Sequence, residues 1–277
     1  MDDILICSDR HLSQKLERTE ARSNAAFVET RAALWPESNA RFIKVAGAYA
    51  MFDGIASPLT QTFCLGLFDE ISAVELAKIE SFFSEHGAKV CHEVSPLADT
   101  SLMPLLNKHD YHPVELSNVM FRSIDKEIKL NALKNPLITT RIIGPGEEKI
   151  WAKTSSLGWA SGNENLAAIV YELGITGVHC PSALPFMAEL HGQPIATGII
   201  FIFDDIALFG GTSTIPESRG QGAQLALLEA RLQLAVSKGC KIAMMCALPG
   251  SQSQRNAEKH GFRVAYTRTK WQKADIT

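Results

Sequence analysis

The sequence predicts an α/β (α+β) fold made of two successive mixed-sheet domains, each a central twisted sheet flanked by helices. Short apolar runs that are typical of strands alternate with amphipathic helical segments along the chain. The chain also repeats itself, since 84–94 parallels 236–246 and 105–122 parallels 256–272, at an offset of about 151 residues. Duplication of one unit explains this pattern, with a linker around 125–136. Chance similarity between common α/β patterns is the alternative.

Each half contains the same predicted order of elements. In the first half, a long helix over 12–35 precedes strands within 41–54 and 60–68. The repeated segments then follow, as they do in the second half. We therefore expect one domain over 1–125 and another over 139–277.

The second half is more regular in its pattern. Residues 185–212 predict three strands joined by tight polar turns at 191–194 and 204–205. An amphipathic helix over 224–238 follows, and a glycine ends it. An apolar strand is predicted at 241–248.

Composition and charge restrict the class of protein. Of 277 residues, 46% are hydrophobic and 21% are charged, which is ordinary for a globular chain. There is no run of about 18 apolar residues, and the acidic start MDDILICSD lacks the basic region of a signal peptide. We expect a cytoplasmic monomer or homodimer with no membrane partner. A net charge of −3 argues against nucleic acid, and six cysteines without CxxC or zinc-type spacing indicate reduced core thiols and no metal site.

The stretch from Thr214 to Gln224 is the most informative motif. It follows the apolar run IALFGGTS and precedes a helix whose leucines recur at helical spacing. The first N–H groups of a helix have no intrahelical acceptor, and the helix dipole favours negative charge there, so a pyrophosphate is the expected ligand. The candidate binding residues are Thr214, Ile215, Arg219, Gly220, Gln221, Gly222, Ala223 and Gln224.

Two common phosphate loops do not fit this stretch. The chain has no Gly-Lys-Ser/Thr of a Walker loop, and Leu225 stands where a Rossmann loop needs its third glycine. What remains, Arg-x-x-Gly-x-(Gly/Ala), resembles the coenzyme A loop of the GNAT acyltransferase superfamily. Arg219 and Gly222 occupy its first and fourth positions, whereas Gln224 departs from the pattern at the sixth.

A shifted register and a second motif belong to the same resemblance. Moving the register by two places Glu217 at the first position and Gly220 and Gly222 at the fourth and sixth. Downstream, PGSQSQRNAEKHGFRVAYTR is similar to the later motif of the superfamily, in which a short helix ends at Gly-Phe before the last strands. The resemblance covers about 139–273.

The resemblance implies two tandem GNAT-like domains and an N-acetyltransferase that uses acetyl-CoA (coenzyme A) as co-substrate. In this superfamily an amine attacks the acyl thioester directly in a ternary complex, and here the implied acceptor is a small-molecule amine or, less so, a peptide. It also implies that the strand ending at Ile215 diverges from the strand at 241–248, and that Asn256 faces the cofactor. Gly210 and Gly211 predict either a close approach of the cofactor or a β-bulge.

The catalytic acid and base are less clearly indicated. Where the superfamily often has a tyrosine acid, this chain has Ala257. Tyr266 is the candidate acid, with packing as the alternative, and Ser253 is a second catalytic candidate, with helix capping as the alternative. The candidate bases are Glu189, His191 and Asp205, or water chains.

The first half lacks the loop. Its corresponding stretch LFDEISAVELAK has no arginine, and it places Asp69 and Glu70 where phosphates would lie. We expect this copy to be degenerate, without coenzyme A, and to serve a structural or cleft role. Two alternatives to an enzyme stay open, namely a non-catalytic acyl-CoA-binding or regulatory module and a scaffold that binds no nucleotide.

Overall fold

A computed structural model describes residues 8–125, 135–160 and 164–274, so most of the predicted linker lies outside the described residues. Within this described part, no helix is both long and apolar enough to cross a membrane. The helices and strands in chain order are α1 (Arg10–Leu34), β1 (Arg41–Val45), β2 (Ala48–Phe52), β3 (Gln61–Phe63), α2 (Ala73–Glu85), β4 (Cys91–Val94), α3 (Leu102–Lys108), β5 (Tyr111–Ser123), β6 (Ile138–Ile142), α4 (Glu148–Ala160), α5 (Glu164–His179), β7 (Ala183–Leu190), β8 (Gln193–Phe203), β9 (Ile206–Thr214), α6 (Ala223–Ser237), β10 (Ile242–Ala247), α7 (Gln252–Lys259) and β11 (Arg263–Lys273).

The chain divides into two compact units whose boundaries differ from a simple cut at the linker. The second unit is Arg122–Met245, and the first combines the described residues of Met1–Phe121 with those of Cys246–Thr277. The first boundary falls close to the predicted one. The last helix and strand, however, group with the first unit, because β11 pairs there with β4 and β5. The predicted segments 1–125 and 139–277 are therefore successive in sequence without being the compact units.

The first unit contains a mixed sheet in the order β1-β2-β3-β4-β11-β5. The pairs are antiparallel except for β3 with β4, which is parallel. Helices cover both faces of this sheet. Tyr49 and Met51 of β2 pack with α1, whereas Ala48, Ala50 and Phe52 pack with α2 and α3. Because both faces are buried, all five residues of β2 are buried instead of alternating with exposed ones.

The second unit contains a sheet in the order β10-β9-β8-β7-β6. Its antiparallel meander confirms the three predicted strands, and both predicted turns are two-residue loops. At the first turn His191 has φ 52° and Gly192 has φ 73°, as the right-handed twist of a tight hairpin requires. The predicted helix and last strand of this segment are also confirmed, each within one residue of the expected ends.

The order of elements favours the duplication that the sequence repeat predicts. From β3 through β5 the first half shows strand, helix, strand, helix, strand, and β9 through β11 repeat that order. Gly87 and Gly239, which follow α2 and α6, both have positive φ, as expected for residues that end helices in a left-handed conformation. These correspondences support the proposal that the first half is a second, diverged copy.

A neutral histidine lies in the core of the first unit. His92 of β4 pairs with Thr62 and Trp271 on its two sides, and it is fully buried with its ring 4.9 Å from that of Tyr111. Among the described residues, neither ring nitrogen has a hydrogen-bond partner. Burial, followed by the charge of Lys273, lowers the pKa of His92 to about 3.

This burial predicts a pH-dependent stability. The unfolded chain protonates His92 near pH 6.5, whereas the folded chain does so near pH 3. The contribution is therefore complete above the unfolded pKa and is lost as the pH falls toward the folded pKa. In His92→Leu the free energy of unfolding should fall less steeply between pH 6.5 and 5 than in the unmodified chain, by about 1.4 kcal/mol per pH unit. Urea titrations at several pH values measure this, and parallel slopes would contradict it.

Candidate functional site

The predicted loop connects β9 to α6 in the second unit. A 3₁₀ turn over Pro216–Ser218 follows the strand, and α6 begins at Ala223. Gly220 and Gly222 have φ 78° and 97°, which side chains other than glycine rarely adopt. The two glycines thus let the chain turn sharply into the helix.

The N-terminus of α6 is open, whereas that of α2 is closed by its own chain. Gly222 is the N-cap of α6 and has no side chain to accept from the first N–H groups. At α2, the Ser72 hydroxyl accepts from Glu75 N, and the Glu75 carboxylate accepts from Ser72 N at 2.8 Å, a complete capping box. A carboxylate therefore occupies at α2 the position that an anion could take at α6.

Arg219 braces the loop. Its Nη2 donates to the Gly158 carbonyl at 2.8 Å and its Nε to the Thr214 carbonyl at 3.3 Å. Gly158 belongs to α4 and Thr214 ends β9, so the guanidinium fixes the loop against both elements. The residue is exposed.

Gln224, which departs from the expected pattern, also binds back to the strand. Its Nε2 donates to the Ser213 carbonyl at 2.9 Å and to the Thr214 hydroxyl at 2.6 Å. Ile215 N donates to the Ile195 carbonyl, and Gln221 Nε2 to the Glu217 carbonyl. These bonds hold the end of β9 and the start of α6 in one fixed arrangement.

Helix α4 packs closely on the end of β9 beside this loop. The Ser213 hydroxyl donates to the Ser155 carbonyl at 3.0 Å. A Cβ added at Gly158 would collide with Ser213 Oγ and would lie 2.9 Å from Thr214 N. Only glycine permits this approach, because the close neighbours are backbone and a short side chain.

β9 is interrupted at the two glycines that the sequence indicated. Its register with β8 shifts between Thr197–Ser213 and Ile199–Gly210, so three residue steps on β9 face two on β8. This is a β-bulge, and Gly211 within it has φ 57° and is exposed. A Cβ built on Gly210 would meet nothing within 4 Å. The bulge and the room for a close approach are therefore both present.

β9 and β10 stay together over only part of their length. Their parallel register covers Ile206–Ile242, Ala207–Ala243 and Leu208–Met244. Within the described residues it ends there, although β9 continues to Thr214. The strands thus separate as the resemblance implies, and the separation begins just before the bulge.

The three downstream candidates group with the first unit, not with the loop residues. The cap of α7 is Ser251, whose hydroxyl accepts from Gln254 N, so the expected capping role of Ser253 is wrong. Ser253 is exposed. Asn256 is half-buried, and its Oδ1 accepts from Gln252 Nε2 at 2.7 Å. The roles of Ser253 in catalysis and of Asn256 in cofactor binding stay predictions.

Tyr266 is tied into a buried charge cluster. Its hydroxyl donates to Glu17 Oε1 at 3.0 Å, and only 8% of the residue is exposed. Burial and the Glu17 charge hold the pKa of Tyr266 well above its usual value. Its proton is already shared with a carboxylate in the core, so the geometry favours the packing alternative over the acid.

The candidate bases differ in their surroundings. Glu189 Oε1 accepts from Arg141 Nη2 at 2.7 Å, which fixes it in an ion pair. His191 is exposed at the tip of the hairpin. The Asp205 carbonyl accepts from Lys241 N at the start of the β9–β10 pair. The roles of these three residues as bases stay predictions.

Sequence reasoning missed Arg231. This residue lies on α6 with only 2% of its surface exposed. The available signal was its spacing, because Leu227, Leu228, Leu232 and Ala235 form the buried stripe of the helix and Arg231 falls within it. A charged residue on an apolar stripe indicates a specific buried contact.

The described residues contain no group of three or more His, Cys, Asp or Glu side chains that could hold a metal ion. The described cysteines are free thiols, of which Cys64, Cys180 and Cys240 are buried. Cys7 lies outside the described residues. The loop between β9 and α6 therefore offers a ligand hydrogen-bonding groups and the exposed guanidinium of Arg219.

Comparisons with known proteins identify one family match and several similar structures. Residues 158–262 match the acetyltransferase (GNAT) family. No curated protein sequence matches the chain. Among solved structures, a GCN5-related N-acetyltransferase from Kribbella flavida is similar over 92% of this chain and 96% of its own, with 15% identity and a TM-score of 0.65.

Two further structures are similar. A tandem GNAT protein from the clavulanic acid biosynthesis pathway aligns over 84% of this chain and 80% of its own, with 13% identity and a TM-score of 0.59. A GCN5-related N-acetyltransferase from Sphaerobacter thermophilus aligns over 78% of this chain and 74% of its own, with 15% identity and a TM-score of 0.54. At such identities the likeness shows the fold, and it confirms the predicted mixed α/β architecture, including a tandem example.

The contact between α4 and β9 yields a stability prediction. Gly158→Ala should lower the free energy of unfolding by about 1 to 3 kcal/mol, because the added methyl group overpacks the strand end. Gly144→Ala is the matched control in the same unit, since its Cβ would have only an ordinary contact of 3.5 Å with Glu147. Urea unfolding of both variants measures the difference, and equal stabilities would contradict the close packing.

Proposed function

Because residues 158–262 match the acetyltransferase (GNAT) family, we propose that this chain transfers an acetyl group from acetyl-CoA to an amine of a small-molecule acceptor. Transfer is direct, in a ternary complex. The amine nitrogen bonds to the acyl carbon, the carbon–sulfur bond breaks, the ammonium loses a proton and the departing thiolate gains one.

The open N-terminus of α6 is the observation that carries this proposal. The glycines at 220 and 222 turn the backbone so that the first N–H groups of the helix are not capped by a side chain. A pyrophosphate fits such a terminus, because its charge complements the helix dipole and its oxygens accept from several N–H groups. Arg219 adds a cation at the same loop while it braces the backbone.

The bulge of β9 supplies the second part of the proposal. Where β9 leaves β10, backbone groups become available to hydrogen-bond the pantetheine arm. A peptide N–H of the bulge stabilises the oxyanion that forms on the acyl carbonyl during attack. The space beside Gly210 admits this close approach. Proton transfer is assigned to water, since the Tyr266 hydroxyl is engaged by Glu17.

The first unit has a different role in this proposal. Its helix α2 carries the Ser72–Glu75 capping box, so a phosphate would have to displace a carboxylate already bound to the helix N-terminus. We assign the N-terminal segment 1–125, which contains α2, a structural or cleft role without coenzyme A binding. One site per chain is the stoichiometry that follows.

A second candidate function is a non-catalytic acyl-CoA-binding module. Two observations favour it, namely Ala257 at the position of the usual tyrosine acid and the burial of Tyr266. The two functions share the cofactor and differ in turnover.

Calorimetric titration of acetyl-CoA into the full chain tests both functions. Saturable binding with thiol release in a panel of amines supports the enzyme, and binding without thiol release across the panel supports the module. No binding would exclude both.

Reversing the charge of Arg219 in the loop should weaken the binding of acetyl-CoA. In Arg219→Glu the brace to Gly158 is lost and a carboxylate faces the phosphates, so acetyl-CoA should bind at least about tenfold more weakly. Arg41→Glu is the matched control, because Arg41 is also exposed but lies on β1 of the first unit. Calorimetry of both variants decides the matter. Equal affinities would mean that the loop is not the cofactor site.

Filling the space beside the bulge should weaken the binding of acetyl-CoA without lowering the stability of the fold. In Gly210→Ala the added Cβ meets no protein atom within 4 Å and the residue needs no positive φ, so the fold should tolerate it. We expect the free energy of unfolding to change by less than about 1 kcal/mol, while acetyl-CoA binds at least about tenfold more weakly. Thermal melts and calorimetry measure the two effects. Undiminished affinity would place the pantetheine arm elsewhere.

A further inference from the structure

Arg231 is a buried cation whose contacts are unusual for a buried arginine. Its Nε donates to the Leu227 carbonyl at 3.1 Å, within its own helix. Its Nη1 donates to Thr212 Oγ1 at 3.1 Å and to the carbonyls of Ile199 at 3.3 Å and Gly210 at 3.4 Å. Within the described chain, every one of these acceptors is a carbonyl or hydroxyl oxygen. In the part of the chain that the structure describes, no carboxylate forms an ion pair with this guanidinium.

Arg268, the buried arginine of the first unit, is held differently. Arg268 is also buried, but it forms ion pairs with Glu17, Glu20 and Glu93. At Arg231 burial alone lowers the pKa, to about 10. A buried charge without an ion pair costs stability unless other contacts compensate for it. At Arg231 the compensation comes from the Phe209 ring, whose centroid lies 5.0 Å from Cζ, and from the hydrogen bonds, three of which go to backbone carbonyls.

Two of the three carbonyls lie at the bulge of β9. Ile199 and Gly210 are the register partners at which the ladder resumes after the shift. One nitrogen of Arg231 binds the carbonyls of both, so the guanidinium bridges the two strands where regular pairing is interrupted. Gly198 makes this possible, since a Cβ there would lie 2.9 Å from Arg231 Cζ and Nη1. The side chain of Arg231 on α6 thus occupies the space that the missing Cβ of Gly198 leaves on β8.

The contact to Gly210 fixes the next peptide N–H. The described peptide bonds are trans, so the N–H of Gly211 points opposite to the Gly210 carbonyl. With that carbonyl held by Arg231, the Gly211 N–H is directed away from the guanidinium. Gly211 is exposed although Phe209 and Ser213 in the same strand are buried. A cation on the carbonyl also polarises the peptide and strengthens its N–H as a donor.

We propose that Arg231 is a positioning residue for acyl transfer, which holds the bulge so that the Gly211 N–H meets the carbonyl oxygen of the acyl thioester. This inference rests on the proposed function and adds a residue that does not touch the substrate. It identifies the buried charge of α6 as the cause of the orientation. Because free coenzyme A lacks the acyl carbonyl, loss of Arg231 should weaken the binding of acetyl-CoA more than that of coenzyme A.

The test compares the two ligands in one protein. Calorimetry gives Kd for acetyl-CoA and for coenzyme A, and their ratio reports the acyl carbonyl contact. In Arg231→Met the preference for acetyl-CoA should fall by about fivefold, the factor that corresponds to one ordinary hydrogen bond. Arg231→Lys, which keeps a cation for the carbonyls, should stay closer to the unmodified chain.

A matched control separates positioning from stability. Arg122 is half-buried in the same unit, with the carboxylates of Glu229 and Asp125 nearby. Arg122→Met should lower the melting temperature without changing the ratio. If Arg231→Met does not fold, Gly198→Ala serves instead, because its methyl group displaces the guanidinium and should lower the ratio while the charge is kept.

The outcomes distinguish the two proposals. A reduced ratio in Arg231→Met or Gly198→Ala, with an unchanged ratio in Arg122→Met, supports the positioning role. A ratio unchanged in every variant, with normal binding of both ligands, overturns this role and leaves the acetyltransferase proposal intact. Failure of the unmodified chain to bind either ligand overturns the proposed function and the positioning role together.

Discussion

The second unit depends on how a sheet satisfies its peptide groups where its ladder is interrupted. Backbone carbonyls in a sheet interior need hydrogen-bond partners, since burial without a partner is costly. At the β9 bulge, Arg231 bonds two of them. Gly198 makes room for the guanidinium, and Gly211 adopts the left-handed conformation that the extra residue requires. Without the carbonyls at the bulge, the buried guanidinium would lose these two hydrogen bonds, and without Gly198 it would have no room.

The same principle explains the contrast between the two helices that follow corresponding strands. Both α2 and α6 begin with N–H groups that lack intrahelical acceptors. At α2 the Glu75 carboxylate accepts from Ser72 N and the Ser72 hydroxyl accepts from Glu75 N, whereas at α6 the N-cap glycine has no side chain that could accept. A helix start can therefore be closed by a carboxylate of its own chain, as at α2, or lack a side-chain cap, as at α6. The residue at the N-cap, Ser72 or Gly222, makes the difference.

Local patterns in the sequence predict much of this structure. The meander, the tight turns, the loop and the helix after it follow from periodicity and turn chemistry, which act over a few residues. Pairing over long sequence distances is different. The residues near Tyr266 in the sequence make it a candidate acid, but the carboxylate that its hydroxyl binds, Glu17, lies 249 residues away. The cap of α7 could be either of two serines two positions apart, and only the structure selects Ser251. Arg231 was overlooked because the bulge that it binds is formed by β8 and β9, not by its own helix.

The position of β11 between β4 and β5 has a consequence for synthesis on the ribosome. Those two strands are made early, and the strand that joins them in the sheet, together with the core residue Trp271, is made about 150 residues later. The sheet of the first unit can therefore be completed only after the second unit has been translated. Until then the edges of β4 and β5 lack the strand that pairs with them. Early strands of this chain thus acquire a sheet partner only when synthesis is nearly finished.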